Sequence, residues 1–464
     1  MKKIIIIIPR GESVRNFVFS SFLEELSNHA RITILTTVDH PDLFEKSRNF
    51  VAGFDKLAPV ENTGLVRIIR TIVENAHEKW TGSKAAQNYW AIRDYRARKS
   101  NTRLKRNLLK LIAALVGNRA VLRFLTNLEN LLSLQRVEAK RFRDYFLKTK
   151  PDLVFNTSHV HGTAGELPSK VSQSLGIPTA GFIFSWDNLT SRSRIFVPYD
   201  HYLVWNKAMK NELCQIYDFV HESNVHVVGT PQFDFHHDRE QYWSREELCE
   251  VMGLNPNLPY VLYTTGMDIH FFEEHKHVTT VIKHLEDKYS ANVQLVVRTY
   301  VKGTSQEMMR LKDAMYPNVF FPTPAWNKDY LMPEYEDIKQ YTNLLRHAAL
   351  GINAASTVSL ELISLGVPVI NINYNPEGFS LPEIFGYSRH INYDHYAPVA
   401  ASGAVFVANS NEELRAMIDI SITDRNCLEK AQKRFIERFF DGRLDYKFAS
   451  QSASALVNIL KINQ

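Results

Sequence analysis

The segment with the densest chemical content runs Gly351-Ile-Asn-Ala-Ala-Ser356-Thr357-Val-Ser359-Leu-Glu361 and continues through Leu365-Gly366-Val-Pro368-Val-Ile370. An apolar run ends, small polar residues turn the chain, and a helix starts whose first turn carries Ser356 and Thr357. Small side chains let a ligand reach the backbone, and the free N–H groups of a helix start, aided by the helix dipole, favour a phosphate there. Glu361 follows about one helical turn later, where a carboxylate can accept hydrogen bonds from the paired hydroxyls of a ribose. Phosphate donors and a ribose acceptor on one helix describe a nucleoside diphosphate site. The same residues also describe an ordinary capped helix with a solvent-facing glutamate, because Ser and Thr are common caps.

Other chemistry-bearing residues follow short apolar runs. Thr264-Thr265-Gly266 closes one such run, and Arg298, with Lys302 nearby, closes Gln-Leu-Val-Val. The fixed charge of Arg298 could stabilise a leaving diphosphate or simply pair with a neighbouring helix. Trp326, Tyr330 and Tyr335, between Pro322 and Tyr341, could cover a nucleobase or only pack. Nearer the start, Pro9-Arg10-Gly11-Glu12-Ser13-Val14-Arg15-Asn16 sets two arginines around a carboxylate. That pattern suits an anionic or polyhydroxylated ligand, and equally a helix start with Arg10 paired to Glu12. Asn156-Thr-Ser158-His159-Val-His161-Gly162 and Ser185-Trp186-Asp187-Asn188 are the remaining candidates, the latter joining an aromatic platform to an amide. His159 and His161 lack a third ligand, so zinc is not expected. No Asp-x-Asp occurs, so no metal-held diphosphate is expected.

The elements that must position these residues alternate strand and helix signals. Lys2 to Ile8, Arg31 to Thr36, Asp152 to Asn156, Pro178 to Phe184, His201 to Trp205 and Val225 to Val228 read as buried strands. After Gly229-Thr230-Pro231 the rhythm restarts with Tyr260 to Thr264, Gln294 to Arg298, Val319 to Phe321, Leu350 to Asn353, Val367 to Ile372 and Ala404 to Val407. This is the pattern of two doubly wound α/β domains with parallel sheets, which bind ligands beyond the carboxyl ends of their strands. The expected division is 1–235, with a helical insertion at about 65–150, then 236–445, with 446–464 a helix packing back on the first domain. A chain of 464 residues accommodates two such domains.

Between Arg67 and Lys150 stand 20 Lys or Arg against 6 Asp or Glu, although the whole chain carries only +5. Leu104, Leu108, Leu111 and Leu115, then Leu122, Leu125, Leu128, Leu131 and Leu132, recur there at helical spacing. The insertion therefore reads as amphipathic basic helices, either with the leucines as a core stripe beneath a solvated face or as a docking surface for phospholipid headgroups. Three widely spaced cysteines fit neither a disulfide framework nor a zinc site and point to a reducing cytoplasm. No apolar run has the length of a spanning helix, and no nucleic-acid motif accompanies the basic stretch.

Ser356-Thr357-Val358-Ser359-Leu360-Glu361 with Leu365-Gly366-Val367-Pro368-Val369-Ile370, together with Val228-Gly229-Thr230-Pro231-Gln232-Phe233-Asp234 and Phe184-Ser185-Trp186-Asp187-Asn188, resembles the GT-B superfamily of nucleotide-sugar glycosyltransferases of bacterial surface polysaccharides. Sugar-nucleotide 2-epimerases and glycerophosphotransferases are related to that group. The resemblance implies two Rossmann-like domains facing a cleft, nucleotide bound by the second, acceptor by the first, and no cofactor beyond the nucleotide sugar as co-substrate. It implies donor contacts from Arg298, Lys302, Thr265, Gly266, Ser356, Thr357 and Glu361, and acceptor contacts from Arg10, Arg15, Asn16, Trp186 and Asn188. Asp187, His159 and Glu12 are candidate general bases, Asp187 foremost; a retaining enzyme would need none. The expected reaction is transfer of a sugar, foremost from a UDP donor, to a glycan or lipid-linked acceptor, in the cytoplasm or on the inner membrane face. A sugar-nucleotide 2-epimerase and a polyol-phosphate transferase of teichoic-type polymers are the alternatives. Arg298-Thr-Tyr300 stands where such polymer enzymes often carry His-Pro, which weakens any histidine role there.

Overall fold

The computed structural model describes residues 1–464 other than 101, 161–163, 193 and 463–464. It comprises two compact units, Met1–Asp234 with Asp329–Met332 and Asp445–Gln464, and Phe235–Lys328 with Pro333–Leu444. In the first unit the strands are β1 (Lys2–Ile8), β2 (Ala30–Thr36), β3 (Gly53–Lys56), β4 (Leu153–Asn156), β5 (Thr179–Phe182), β6 (His201–Val204) and β7 (Val225–Val227). They form one sheet ordered β3-β2-β1-β4-β5-β6-β7, every neighbouring pair parallel. Ile4 to Ile8 are all buried because β1 lies mid-sheet between two layers of helices, which is why that strand is uniformly apolar. The order reverses between β1 and β4, so the segment from Arg10 into the helix over Glu12–Phe17 and the loop carrying Thr157 to His159 both leave the sheet at its switch point.

The second unit holds β8 (Tyr260–Thr264), β9 (Gln294–Arg298), β10 (Val319–Phe320), β11 (Leu350–Asn353), β12 (Val369–Ile372) and β13 (Phe406–Ala408). Their order is β10-β9-β8-β11-β12-β13, again all parallel. Here the reversal falls between β8 and β11, which sends the Thr265-Gly266 turn and the Ala354 to Ser356 turn out at the same place. Both units are thus doubly wound parallel sheets, as the strand rhythm predicts. The sequence reading passes over β3, an edge strand whose residues are half-exposed or exposed and carry no apolar alternation.

Six helices of the first unit carry candidate residues or the basic stretch: α1 (Glu12–Phe17), α2 (Gly64–Thr81), α3 (Lys84–Lys99), α4 (Arg103–Val116), α5 (Arg119–Leu134) and α6 (Val137–Thr149), the last five forming the basic insertion between β3 and β4. Ile69, Val73 and Ala76 of α2 pack with Ala113 of α4, Leu122 of α5 and Phe196. Beneath this cluster Arg70 pairs with Glu129 at 3.0 Å and Glu166 at 2.7 Å, and Lys170 pairs with Glu129 at 2.5 Å. Burial works against the Arg70 charge, and Glu166 and Glu129 outweigh it, holding its pKa above the ordinary arginine value. Removing one member would strand a buried charge, so the insertion is fastened to the sheet layer rather than appended to it.

Leu122 is buried and Leu125, Leu128 and Leu132 pack against the cluster, in keeping with a core stripe on α5. The α4 leucines do the reverse. Leu104, Leu108, Leu111 and Leu115 are exposed, and Arg106 and Ala113 occupy the buried side. The cause is polar: Arg106 donates to Asp94 at 2.8 Å and Asn75 at 2.9 Å, and Lys110 donates to Asp94 at 2.6 Å.

The string Gly229 to Asp234 receives the last helix, Phe448–Ile462. Gly229 has φ +76°, and a Cβ there would meet the Phe448 ring at 2.0 Å. Asp234 accepts from the amides of Phe448 and Ala449 at 3.0 and 2.7 Å, satisfying the first free N–H groups of that helix.

Candidate functional site

Three helices of the second unit build its site: α7 (Glu274–Tyr289), α8 (Tyr335–His347) and α9 (Thr357–Ser364). Between β11 and α9 the chain passes through Ala355 at φ +64°, a left-handed conformation that an alanine holds only at a cost of about 1–2 kcal/mol. Ser356 then caps α9, its Oγ accepting from Val358 N at 3.3 Å, and Thr357 is the first helical residue. A buried polar cluster holds this turn from below. Ser359 Oγ donates to Asn353 Oδ1 at 3.0 Å, and Asn371 Nδ2 reaches both Asn353 Oδ1 and Ser359 Oγ at 3.0 Å. The Tyr396 hydroxyl lies 2.8 Å from Ser359 Oγ and 2.9 Å from Asn371 Oδ1, and burial raises its pKa. A buried hydrogen-bonded network of this kind restrains the backbone of the turn, and within it Asn353 Nδ2 is buried without a partner among the described residues.

Glu361 is 4% exposed, which excludes the solvent-facing alternative. Its Oε2 accepts from the Tyr341 hydroxyl at 2.7 Å, and its Oε1 lies 3.3 Å from His236 Nε2.

The loop after β8 is tied to the loop after β9: Thr265 N donates to the Arg298 carbonyl at 3.1 Å, and Tyr300 N donates to Thr265 Oγ1 at 2.9 Å. Gly266 is required sterically, since a Cβ would stand 1.9 Å from the Phe271 ring. Its amide donates to Glu274 Oε2 at 3.0 Å, and the Tyr263 hydroxyl reaches Oε1 at 3.3 Å. Burial pushes the Glu274 pKa up to about 8 against those two hydrogen bonds.

Arg298 is buried, with Nη2 2.9 and 2.7 Å from the two Asp337 oxygens. Asp337 also accepts from Ala325 N at 2.9 Å and Trp326 Nε1 at 3.0 Å, so it anchors the segment after β10. The helix-pairing alternative read for Arg298 is therefore realised in α8, and Nη1 is the part of the guanidinium with no partner among the described residues. Lys302 is half-exposed in the loop beyond. Trp326 is held by Asp337, Tyr335 takes a hydrogen bond from Gln241 at 3.2 Å, and the Tyr330 carbonyl accepts from Gly11 N at 3.0 Å. The three aromatics thus have separate anchors.

In the first unit, Arg10 Nε pairs with Glu12 Oε2 at 2.9 Å, again the pairing alternative. Gly11 admits no side chain, because a Cβ would lie 2.4 Å from that of Met332. Arg15 donates to Asn16 Oδ1 at 3.0 Å and Gln232 Oε1 at 3.1 Å. His159 is buried, with Nδ1 3.3 Å from the Phe182 carbonyl; His161 lies outside the described residues. Asp187 is half-exposed and accepts from Ser191 Oγ at 2.6 Å and Asn188 Nδ2 at 3.3 Å. Asn188 Oδ1 accepts from Ser185 N at 3.0 Å, closing the turn beside buried Trp186. Four polar atoms of α1 and of the loops after β4 and β7, namely Ser13 Oγ, Asn16 Nδ2, Ser158 Oγ and Thr230 Oγ1, are buried without a partner among the described residues. Unmet buried donors and acceptors are uncommon in folded proteins and each asks for an explanation; in this chain they also occur elsewhere, as at His77 and Gln432.

Sequence reasoning passes over Asp337, Glu274, Asn371 and Tyr396. A signal existed for Asn371: an amide inside the otherwise apolar strand Val369–Ile372 must find buried partners. Glu274 and Asp337 sit on ordinary amphipathic helices and gave none. Among the described residues no group of three or more His, Cys, Asp or Glu is arranged to hold a metal ion.

Solved structures share this architecture over nearly the whole chain. The UDP-GlcNAc 2-epimerase of Neisseria meningitidis bound to UDP-GlcNAc superposes with a TM-score of 0.57 at 13% identity, covering 99% of this chain and 100% of that one. A UDP-N-acetylglucosamine 2-epimerase from Rickettsia bellii gives 0.53 at 11% identity, covering 100% and 98%. A glycosyltransferase from Rickettsia africae gives 0.51 at 11%, covering 100% and 99%. No family profile matches the chain, and no curated protein matches it. The chain has the GT-B fold, shared by sugar-nucleotide 2-epimerases and glycosyltransferases.

Proposed function

We propose that this chain is a nucleotide-sugar enzyme that binds a UDP-sugar at the switch point of its second unit and breaks the bond between the anomeric carbon and the diphosphate. The observation that carries this reading is the turn from Asn353 to Thr357: a left-handed Ala355 held over a hydrogen-bonded polar cluster in which Asn353 Nδ2 has no partner among the described residues, at the switch point and at a helix start. In it the α9 amides and Ser356-Thr357 take the diphosphate, Glu361 the ribose, and Thr265, Gly266 and Lys302 line the approach. Arg298 Nη1 supplies positive charge, with no metal required.

The leading form is glycosyl transfer to a glycan or lipid-linked acceptor. The four unpartnered polar atoms beyond β1, β4 and β7 support it, because they offer hydrogen bonds to a polyhydroxylated molecule in the unit that does not hold the nucleotide. Arg10, Arg15, Asn16, Trp186 and Asn188 surround that acceptor in this reading. Asp187 is the foremost base, since Glu12 is engaged by Arg10 and His159 is buried. The second form is UDP-sugar 2-epimerisation, favoured by the two epimerases among the structures above. Incubation with UDP-GlcNAc alone, followed by NMR, separates the forms. An epimerase converts the donor to its 2-epimer unaided; a transferase leaves it intact until an acceptor is added.

A further inference from the structure

We infer that α4 is a membrane-docking helix whose leucines enter a bilayer surface rich in anionic phospholipid, a property independent of which sugar reaction the enzyme performs. The helix is amphipathic in the reverse sense for a packed helix. Leu104, Leu108, Leu111 and Leu115 are 83%, 58%, 59% and 71% exposed, and their spacing of four, three and four places them on one stripe. The opposite side, carrying Arg106 and Ala113, is buried.

This orientation is enforced rather than incidental. Arg106 Nε and Lys110 Nζ each bond Asp94, Arg106 Nη1 bonds Asn75, and the Arg106 guanidinium lies 4.5 Å from the Trp90 ring centroid. Turning the leucines inward would break three hydrogen bonds, two of them ion pairs, and carry the Arg106 and Lys110 charges into solvent.

Charge identifies the occupant. The 14-residue helix carries no acidic side chain. Its exposed bases Arg103 and Lys105 flank the leucine stripe on either side, about 100° round the helix in each direction. A second copy of the same face would meet like charge with like, and no acid on α4 bridges the two. An anionic bilayer matches both parts, because apolar side chains enter the acyl boundary while Lys and Arg remain at the phosphates. No helix among the described residues is long and apolar enough to cross a membrane, so the contact is with its surface.

The test is co-sedimentation with phosphatidylcholine vesicles, with and without phosphatidylglycerol, at low and high salt. Three proteins are compared: the natural chain, Leu108→Gln with Leu111→Gln, and Arg103→Gln with Lys105→Gln. Arg106 and Lys110 are left alone because their pairs hold the fold. All three proteins should melt within a few degrees of one another, since the altered side chains are exposed. The natural chain should pellet with phosphatidylglycerol vesicles and lose at least tenfold in partition on pure phosphatidylcholine. The leucine variant should lose binding by at least tenfold even at low salt, and the basic variant should bind more weakly at low salt and depend less on salt than the natural chain. Failure of the natural chain to bind anionic vesicles at low salt overturns the inference, as does unchanged binding by the leucine variant. A natural chain that is dimeric by light scattering and becomes monomeric with Leu108→Gln and Leu111→Gln also overturns it, by showing that another copy covers the face.

Discussion

Arg298 Nη2 lies 2.9 and 2.7 Å from the two oxygens of Asp337, so the cation at the end of β9 is already matched by a carboxylate of its own unit. The pairing divides the guanidinium into a structural edge and a second nitrogen, Nη1, with no partner among the described residues. Both roles are testable. Asp337→Asn should destabilise the protein by about 3–5 kcal/mol in urea unfolding, because it leaves the buried Arg298 charge unmatched. Arg298→Lys, which keeps the charge but loses the planar fork, should fold better than Arg298→Ala and still lose turnover by roughly ten- to a thousandfold. Full turnover in a folded Arg298→Ala variant would leave Arg298 with its structural role alone. Activity should also persist in excess chelator.

Glu274 gives the pH dependence. Its pKa rises from the ordinary 4.5 to about 8 on folding, so between those values the native chain holds a proton that the unfolded chain has lost. The stability this supplies is complete below the unfolded value and is lost as pH rises through about 8, with a slope of at most about 1.4 kcal/mol per pH unit. Glu274→Gln mimics the protonated carboxyl and can still accept from Gly266 N. Urea midpoints of the natural chain should fall from mildly acid to alkaline pH, and those of Glu274→Gln should stay flatter. Parallel curves would show that Glu274 does not titrate in this range.

Glu361→Ala should weaken UDP binding by about 1.5–3 kcal/mol in calorimetry, the range for hydrogen bonds to a charged group. Because Glu361 also accepts from Tyr341 and faces His236, the substitution should lower the melting temperature as well. Tyr341→Phe removes the same internal bond and leaves the carboxylate in place, so it should lower stability while retaining most of the affinity. Equal affinity in all three proteins would remove Glu361 from the ribose site.

Gly266→Ala places a methyl group where the Phe271 ring stands 1.9 Å away. It should destabilise the unit by about 1–3 kcal/mol, as overpacking generally does. Phe271→Leu in the same chain should recover part of that loss. If Gly266→Ala is neutral, the turn after β8 is looser than its geometry implies.

The two sheets are legible in the sequence because a central parallel strand buried on both faces must be uniformly apolar, as Ile4 to Ile8 and Leu295 to Val297 are. The turn at Ser356 is legible because caps and small residues have local signatures. What lies in partners distant in sequence is not. Asp337 meets Arg298 across 39 residues and Tyr396 meets Ser359 across 37, and no local pattern announces either pair. The orientation of α4 is hidden for the same reason, since leucine spacing fits a core stripe as well as an outward face and only the contacts of Arg106 with Asp94 and Asn75 turn the leucines outward.

The claim that the second unit holds a uridine nucleotide is tested most directly by thermal unfolding in the presence of UDP, GDP, CDP or CMP, with chelator throughout. A ligand that binds only the native state raises the unfolding midpoint by mass action, by about 2.7 kcal/mol at a hundredfold excess over its dissociation constant. The account predicts a saturable rise with UDP, smaller or absent with the other three nucleotides, and diminished in Glu361→Ala. No rise with UDP, or an equal rise with all four nucleotides, would contradict it.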